Sequence, residues 1–127
     1  MALHNGGCHC GAVRFEFESA RSPRLLACNC SICAMTGFVH LIIPARDFTL
    51  ICGEAALTTY TFGSGIAKHH FCRHCGVKSF YIPRSNPDGV SISWHCVDHS
   101  SFDEVVIEAF DGDNWEAVAS SIAYLSE

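Results

Sequence analysis

The sequence predicts a mainly β domain, an antiparallel body of short strands with one short helix near the C-terminus. Two observations predict it. Short β-rich runs recur along the chain, the first of them alternating apolar and charged residues with period two, and glycine-, proline- and asparagine-rich turns separate those runs.

The first run is Val13-Arg14-Phe15-Glu16-Phe17-Glu18, a half-buried strand with Val13, Phe15 and Phe17 facing inward. Strand-forming runs follow at 38–43, 48–51, 57–62, 68–71, 78–82, 90–94 and 105–110. Gly53, Gly63-Ser64-Gly65 and Asn86-Pro87-Asp88-Gly89 supply turns between them. A short helical turn is expected at 31–37. Beyond it, Trp115, Val118, Ile122 and Leu125 recur at helical spacing, and Asp113 with Glu116 has the pattern of a capping box, which predicts the C-terminal helix.

A length of 127 residues predicts a single domain spanning 1–127. Hydrophobic residues make up 49% of the chain and charged residues 17%, enough apolar material for a core, while the longest apolar run is too short to cross a bilayer. A soluble protein is expected. The formal charge is −5 and the eight Lys and Arg residues are scattered, so no basic stripe exists to neutralise a phosphate backbone. Neither nucleic acid nor an anionic membrane is an expected partner. The chain opens Met-Ala-Leu-His-Asn-Gly-Gly, without a charged and then apolar leader, so a cytoplasmic location with reduced thiols is expected rather than a disulfide framework.

Seven of the nine cysteines lie in three clusters: Cys8-His9-Cys10, Cys28-Asn29-Cys30-Ser31-Ile32-Cys33 and Cys72-Arg73-His74-Cys75. A structural zinc takes four protein ligands in a tetrahedron, and a catalytic zinc takes three and leaves one position open. Two plus two plus three thiols fits one site of each kind. On an extended segment the thiols of Cys8 and Cys10 leave the same face and grip an ion from one side. Cys72-x-x-Cys75 followed by Gly76 reads as a metal-binding turn, with the glycine free to adopt positive φ. A second division, joining Cys8 and Cys10 to Cys28 and Cys30, satisfies spacing with the same ligand types. Cys52 and Cys96 stand alone and are expected to pack in the core.

The three motifs in order, Gly7-Cys8-His9-Cys10-Gly11-Ala12-Val13-Arg14-Phe15, then Cys28-x-Cys30-x-x-Cys33 with Gly37, then Phe71-Cys72-Arg73-His74-Cys75-Gly76, resemble the signature of the glutathione-dependent formaldehyde-activating enzyme family, also named for the centromere protein V domain. Phe110-Asp111-Gly112-Asp113-Asn114-Trp115 is similar to that family's C-terminal motif. The resemblance implies a β-tent of small antiparallel sheets pinned by two zinc ions. It implies a structural zinc on Cys8, Cys10, Cys72 and Cys75 and a catalytic zinc on Cys28, Cys30 and Cys33. The implied activity is carbon–sulfur lyase chemistry, the reversible joining of formaldehyde and glutathione into S-(hydroxymethyl)glutathione.

That chemistry needs a proton carrier, and His9, His40, His69, His70, His74, His95 and His99 are all available. His40 and His95 are favoured because each sits among apolar strand residues, and Phe38, Phe62 and Trp94 are candidate pocket walls. Two other functions remain open at this level: a zinc-pinned binding module without turnover, and a thiol redox enzyme using Cys96 or Cys52.

Overall fold

The computed structural model describes residues 1–127, apart from the side chain of Ala117. The protein is mainly β. Strands β1 (Ala2–Gly7), β2 (Arg14–Ser19) and β5 (Phe48–Cys52) form one sheet in the order β1-β2-β5. A second sheet runs β10-β3-β4-β9-β8, from β3 (Arg24–Cys28), β4 (Val39–Pro44), β8 (Phe80–Tyr81), β9 (Gly89–Ser93) and β10 (Val106–Phe110). A hairpin of β6 (Leu57–Tyr60) and β7 (His69–Cys72) completes the strands, and α1 (Ser31–Thr36) is a helix of six residues ending on Gly37 at φ 64. Among the described residues no helix is long and apolar enough to cross a membrane.

The alternation in β2 is realised: Phe15 and Phe17 are each 1% exposed, and Val13 just before the strand is fully buried. Each such side chain contributes about 1.5–3 kcal/mol on burial. They meet Leu25, Leu41, Ile43, Val90 and Ile92 from the larger sheet, with Cys8 and Cys72 at the margin of the same core. Period two then sends Leu26 and Ile42 to the opposite face of that sheet, where Ile122, Phe110 and Leu125 cover them. His40 shares that second face with Ile42, because the two are separated by one residue of β4.

Four expectations change. The pairing is antiparallel except for β10, which runs parallel to β3 from Val106 opposite Arg24 to Phe110 opposite Cys28. The C-terminal segment is a single α-helical turn, α2 (Trp115–Val118), followed by 3-10 helix over Ala119–Ser126. Its N-cap is Asn114, without a side-chain capping bond, so the Asp113/Glu116 box does not form; Asn114 instead donates to Asp111 Oδ2 at 2.6 Å. Cys8 and Cys10 lie in a turn after β1 rather than on a strand, closed by Gly11 at φ 83. Cys52 is exposed at the end of β5 and Cys96 is half-buried, so neither is a core residue.

Candidate metal centre

Two groups of side chains have the donor chemistry and proximity to hold a metal ion. In the first, the thiols of Cys8, Cys10, Cys72 and Cys75 all lie within 4.8 Å of one another. Cys10 Sγ is 3.6 Å from both Cys8 Sγ and Cys72 Sγ. A tetrahedron with Zn–S bonds of about 2.3 Å has S···S edges of about 3.8 Å, so the sulfur spacing fits that ion. Local backbone explains the convergence. The Cys72–Cys75 turn is closed by the Gly76 N–H donating to the Cys72 carbonyl at 2.7 Å, with Gly76 at φ 74 as its position requires. Backbone N–H groups of Val13 and His74 donate to the sulfurs of Cys8 and Cys72, at 3.3 and 3.4 Å. Backbone N–H groups near Cys75 pull its thiol down to about 6, whereas Cys10, beside the other sulfurs, is pushed up to about 11. Four thiolates at this spacing repel, and a divalent cation removes the conflict.

The second group is Cys28, Cys33 and His40, also within 4.8 Å. Cys28 ends β3, Cys33 lies in α1, and His40 reaches them from β4. Cys33 Sγ is 3.2 Å from His40 Nε2, while His40 Nδ1 is 2.8 Å from Ser91 Oγ on the neighbouring β9. This hydroxyl is the kind of outer partner that orients a ligating imidazole. Burial pushes His40 down to about 3, so it stands as the neutral ring that a metal requires. The Cys28 thiol is pulled down to about 6 by its hydrogen bond with Cys33, and Cys33 is pushed up by the same neighbour. Cys30 is the N-cap of α1 and its side chain interacts with that of Cys28, yet it is not one of the three mutually close groups.

The segment 110–114 is fastened onto this cluster. Asn29 donates from its backbone to the Phe110 carbonyl and from Nδ2 to Asp111 Oδ1 at 3.0 Å, and its Oδ1 accepts from the Asp113 N–H. A Cβ on Gly112 would run into Cys28 Sγ and come within 3.0 Å of Cys30 Cβ, so glycine alone lets the chain pass. Phe110, Gly112 and Asp113 from this segment line a cavity of about 350 Å³. Cys28, Cys30, Cys33 and His40 lie at one part of its wall, and Leu26, Ile42, Phe110 and Ile122 are apolar lining.

A family model described as glutathione-dependent formaldehyde-activating enzyme matches residues 3–112. The chain belongs to this family. A curated protein of Halomonas elongata, named "Putative glutathione-dependent formaldehyde-activating enzyme", is 33% identical over 81 residues, which are 58% of this chain and 52% of that protein. The chain thus spans about half the length of that relative. A crystal structure of a Rhodobacter sphaeroides protein matches with a TM-score of 0.69 at 33% identity, over 82% of this chain and 99% of that one. The formaldehyde-activating family match takes in all seven clustered cysteines and His40, and ends at Gly112, the residue packed on Cys28.

Of the favoured histidines, His40 joins the cluster, whereas His95 is exposed in a 3-10 turn after β9. Phe62 lines the cavity; Phe38 packs beside His40 at 4.7 Å between ring centroids, and Trp94 stacks on His99 elsewhere. Cys96 has its thiol pushed up by burial, which is the opposite of an activated redox thiol. Sequence reasoning passed over Lys78, Tyr81 and Ser91, which surround His40 and His69. Their signal was weak, since only pairing of β8 with β9 and of β9 with β4 brings Tyr81 and Ser91 there, and Lys78 arrives on the loop before β8.

Proposed function

We propose that the protein is a zinc-dependent carbon–sulfur lyase that joins formaldehyde and glutathione, or a closely related small thiol, reversibly into the S-hydroxymethyl adduct. In this reading residues 1–127 act as one domain with two ions. Cys8, Cys10, Cys72 and Cys75 hold the structural zinc, and Cys28, Cys30 and Cys33 hold the catalytic one. The observation that carries the reading is the convergence of Cys28, Cys33 and His40 at the wall of a cavity large enough for a small molecule, beside a separate cluster of four thiols.

When bound, zinc at the second cluster would supply a place where a substrate thiol is held as its thiolate. The chain does the rest. His40, neutral and anchored on Ser91, keeps the Cys33 side of the cluster in place. Leu26, Ile42, Phe110 and Ile122 exclude water around the reacting groups, and the cavity presents the carbonyl carbon to sulfur in one orientation. A cytoplasmic location, where thiols stay reduced and available to a metal, belongs to the same reading.

His40 also favours a second reading. If it completes the shell of the second ion alongside all three cysteines, the site is closed and the protein is a zinc-stabilised binding module. Two-dimensional exchange NMR on zinc-loaded protein decides between them. Faster interconversion of formaldehyde and glutathione than in buffer supports the lyase; an unchanged rate removes it.

A further inference from the structure

His69 is the one described residue with a buried side-chain nitrogen that has no hydrogen-bond partner, and it lines the cavity that holds Cys28 and Cys33. It stands on β7, 4% exposed, and its ring stacks on Tyr81 at 4.7 Å and on Phe62 at 5.4 Å between centroids. Lys78 Nζ lies 3.1 Å from His69 Nδ1 and is itself held over the rings of Phe38 and Tyr81, at 4.8 and 4.5 Å from their centroids. An ammonium has three donors and no acceptor. Nδ1 must therefore present its lone pair to Lys78, and the proton of the neutral imidazole sits on Nε2. The unpartnered atom is thus an N–H donor. Leaving such a donor unmatched costs free energy, so a group on the cavity side that accepts a hydrogen bond is favoured there.

We propose that His69 Nε2–H donates to the oxygen of the substrate's one-carbon group, and that Lys78 is the positioning residue that fixes the tautomer. The inference rests on the lyase reading above and assigns the other end of the reacting bond. As the sulfur electron pair forms the C–S bond, the carbonyl π pair moves onto oxygen. That oxygen carries growing negative charge until it takes back, through solvent, the proton the thiol released on ionising. A donor held in the cavity wall, with no partner of its own to give up, stabilises that oxyanion. In the reverse direction the same bond holds the hydroxyl oxygen while the C–S bond breaks. Tyr81 and Phe62 keep the imidazole plane fixed from β8 and from the loop 61–68.

The test uses the zinc-loaded full chain with His69→Phe, His69→Gln, Lys78→Met and Lys78→Arg. Metal content and melting temperature establish folding, and ¹⁵N spectra of the His69 ring give its tautomer independently of activity. Loss of the donor in H69F is expected to slow formaldehyde–glutathione exchange about 100-fold, as removal of one oxyanion donor does. Glutathione affinity should stay within about twofold, because the lost contact belongs to the reacting group and not to the thiol. H69Q, which keeps an amide donor, should retain part of the rate and serves if H69F does not fold. K78M should turn the single Nε2–H tautomer into a mixture, and K78R should restore it. A wild-type ring protonated on Nδ1, or wild-type exchange rates in both His69 variants, would overturn the proposal. Metal-loaded wild-type protein that leaves exchange at the buffer rate would remove the lyase reading itself and the proposal with it, a result separate from equal rates in wild type and variants.

Discussion

Gly112 passes directly against Cys28, so closely that a single added methyl group would collide with the Cys28 sulfur. The same methyl would also crowd the backbone N–H of Cys30, at 3.2 Å. The C-terminal motif and the cysteine triplet are therefore one packed unit, tied by Asn29 to Asp111 and Asp113.

Gly112→Ala should accordingly disturb the second cluster alone. Metal analysis is expected to fall from two ions to one per chain, with the melting transition kept. An unchanged metal content would show that the segment yields without cost to the site.

The two clusters should differ in what they support. Cys72 is fully buried and ties the turn after β1 to the end of β7. A structural zinc contributes on the order of 10–16 kcal/mol of apparent binding energy, against about 5–15 kcal/mol for the whole stability of a domain. Cys72→Ser should abolish the cooperative thermal transition seen by circular dichroism. Cys33→Ser should keep that transition and lose one ion. Equal melting of the two variants would remove the division into structural and functional sites.

Asn86 is fully buried, and its Nδ2 donates to the carbonyls of Ile122 and Ala123, at 2.9 and 3.2 Å, and to Ser126 Oγ at 3.0 Å. It fixes the C-terminal 3-10 segment, whose Ile122 lines the cavity. Asn86→Ala leaves buried acceptors unmatched and should cost about 1–3 kcal/mol in urea unfolding. Stability equal to wild type would mean that this segment docks by apolar contact alone.

His4 gives the pH dependence. It is fully buried, stacked on Phe102 at 3.8 Å and 2.7 Å from Ser101 Oγ, and burial pushes its imidazole below the usual 6.5. Below pH 6.5 the unfolded chain takes up a proton there that the folded chain refuses. Stability is therefore complete above that pH and falls as the solution is acidified through the depressed folded value. His4→Phe, compared with wild type by urea unfolding at about pH 7.5 and about pH 5.5, should show the smaller loss on acidification. Parallel losses in the two proteins would show that His4 does not set the acid sensitivity.

What could be read from the sequence follows from how local each signal is. Strand β2 and its inward face were legible because Val13, Phe15 and Phe17 alternate with charged residues, and the Gly76 turn was legible because the motif itself demands positive φ. Strand β1 was not, since Ala-Leu-His-Asn-Gly-Gly lacks β-branched residues and is stabilised by pairing with β2 along its whole length. The parallel β10–β3 pair is a long-range choice with no local mark. The cysteine motifs announced two groups of candidate metal ligands, whereas the entry of His40 depended on strand register, which sets it diagonal to Ser91 and within reach of Cys33. Cys52 misled because a lone cysteine is usually buried, and here the strand end leaves it outside.

In the proposed lyase the second cluster keeps a coordination position for a visiting thiol. Cobalt-substituted protein titrated with glutathione tests it most directly, through the sulfur-to-cobalt charge-transfer band. Two ions per chain are expected, with a saturable rise in that band equivalent to one added sulfur, lost in Cys33→Ser. A spectrum indifferent to glutathione, with both ions bound, would contradict it.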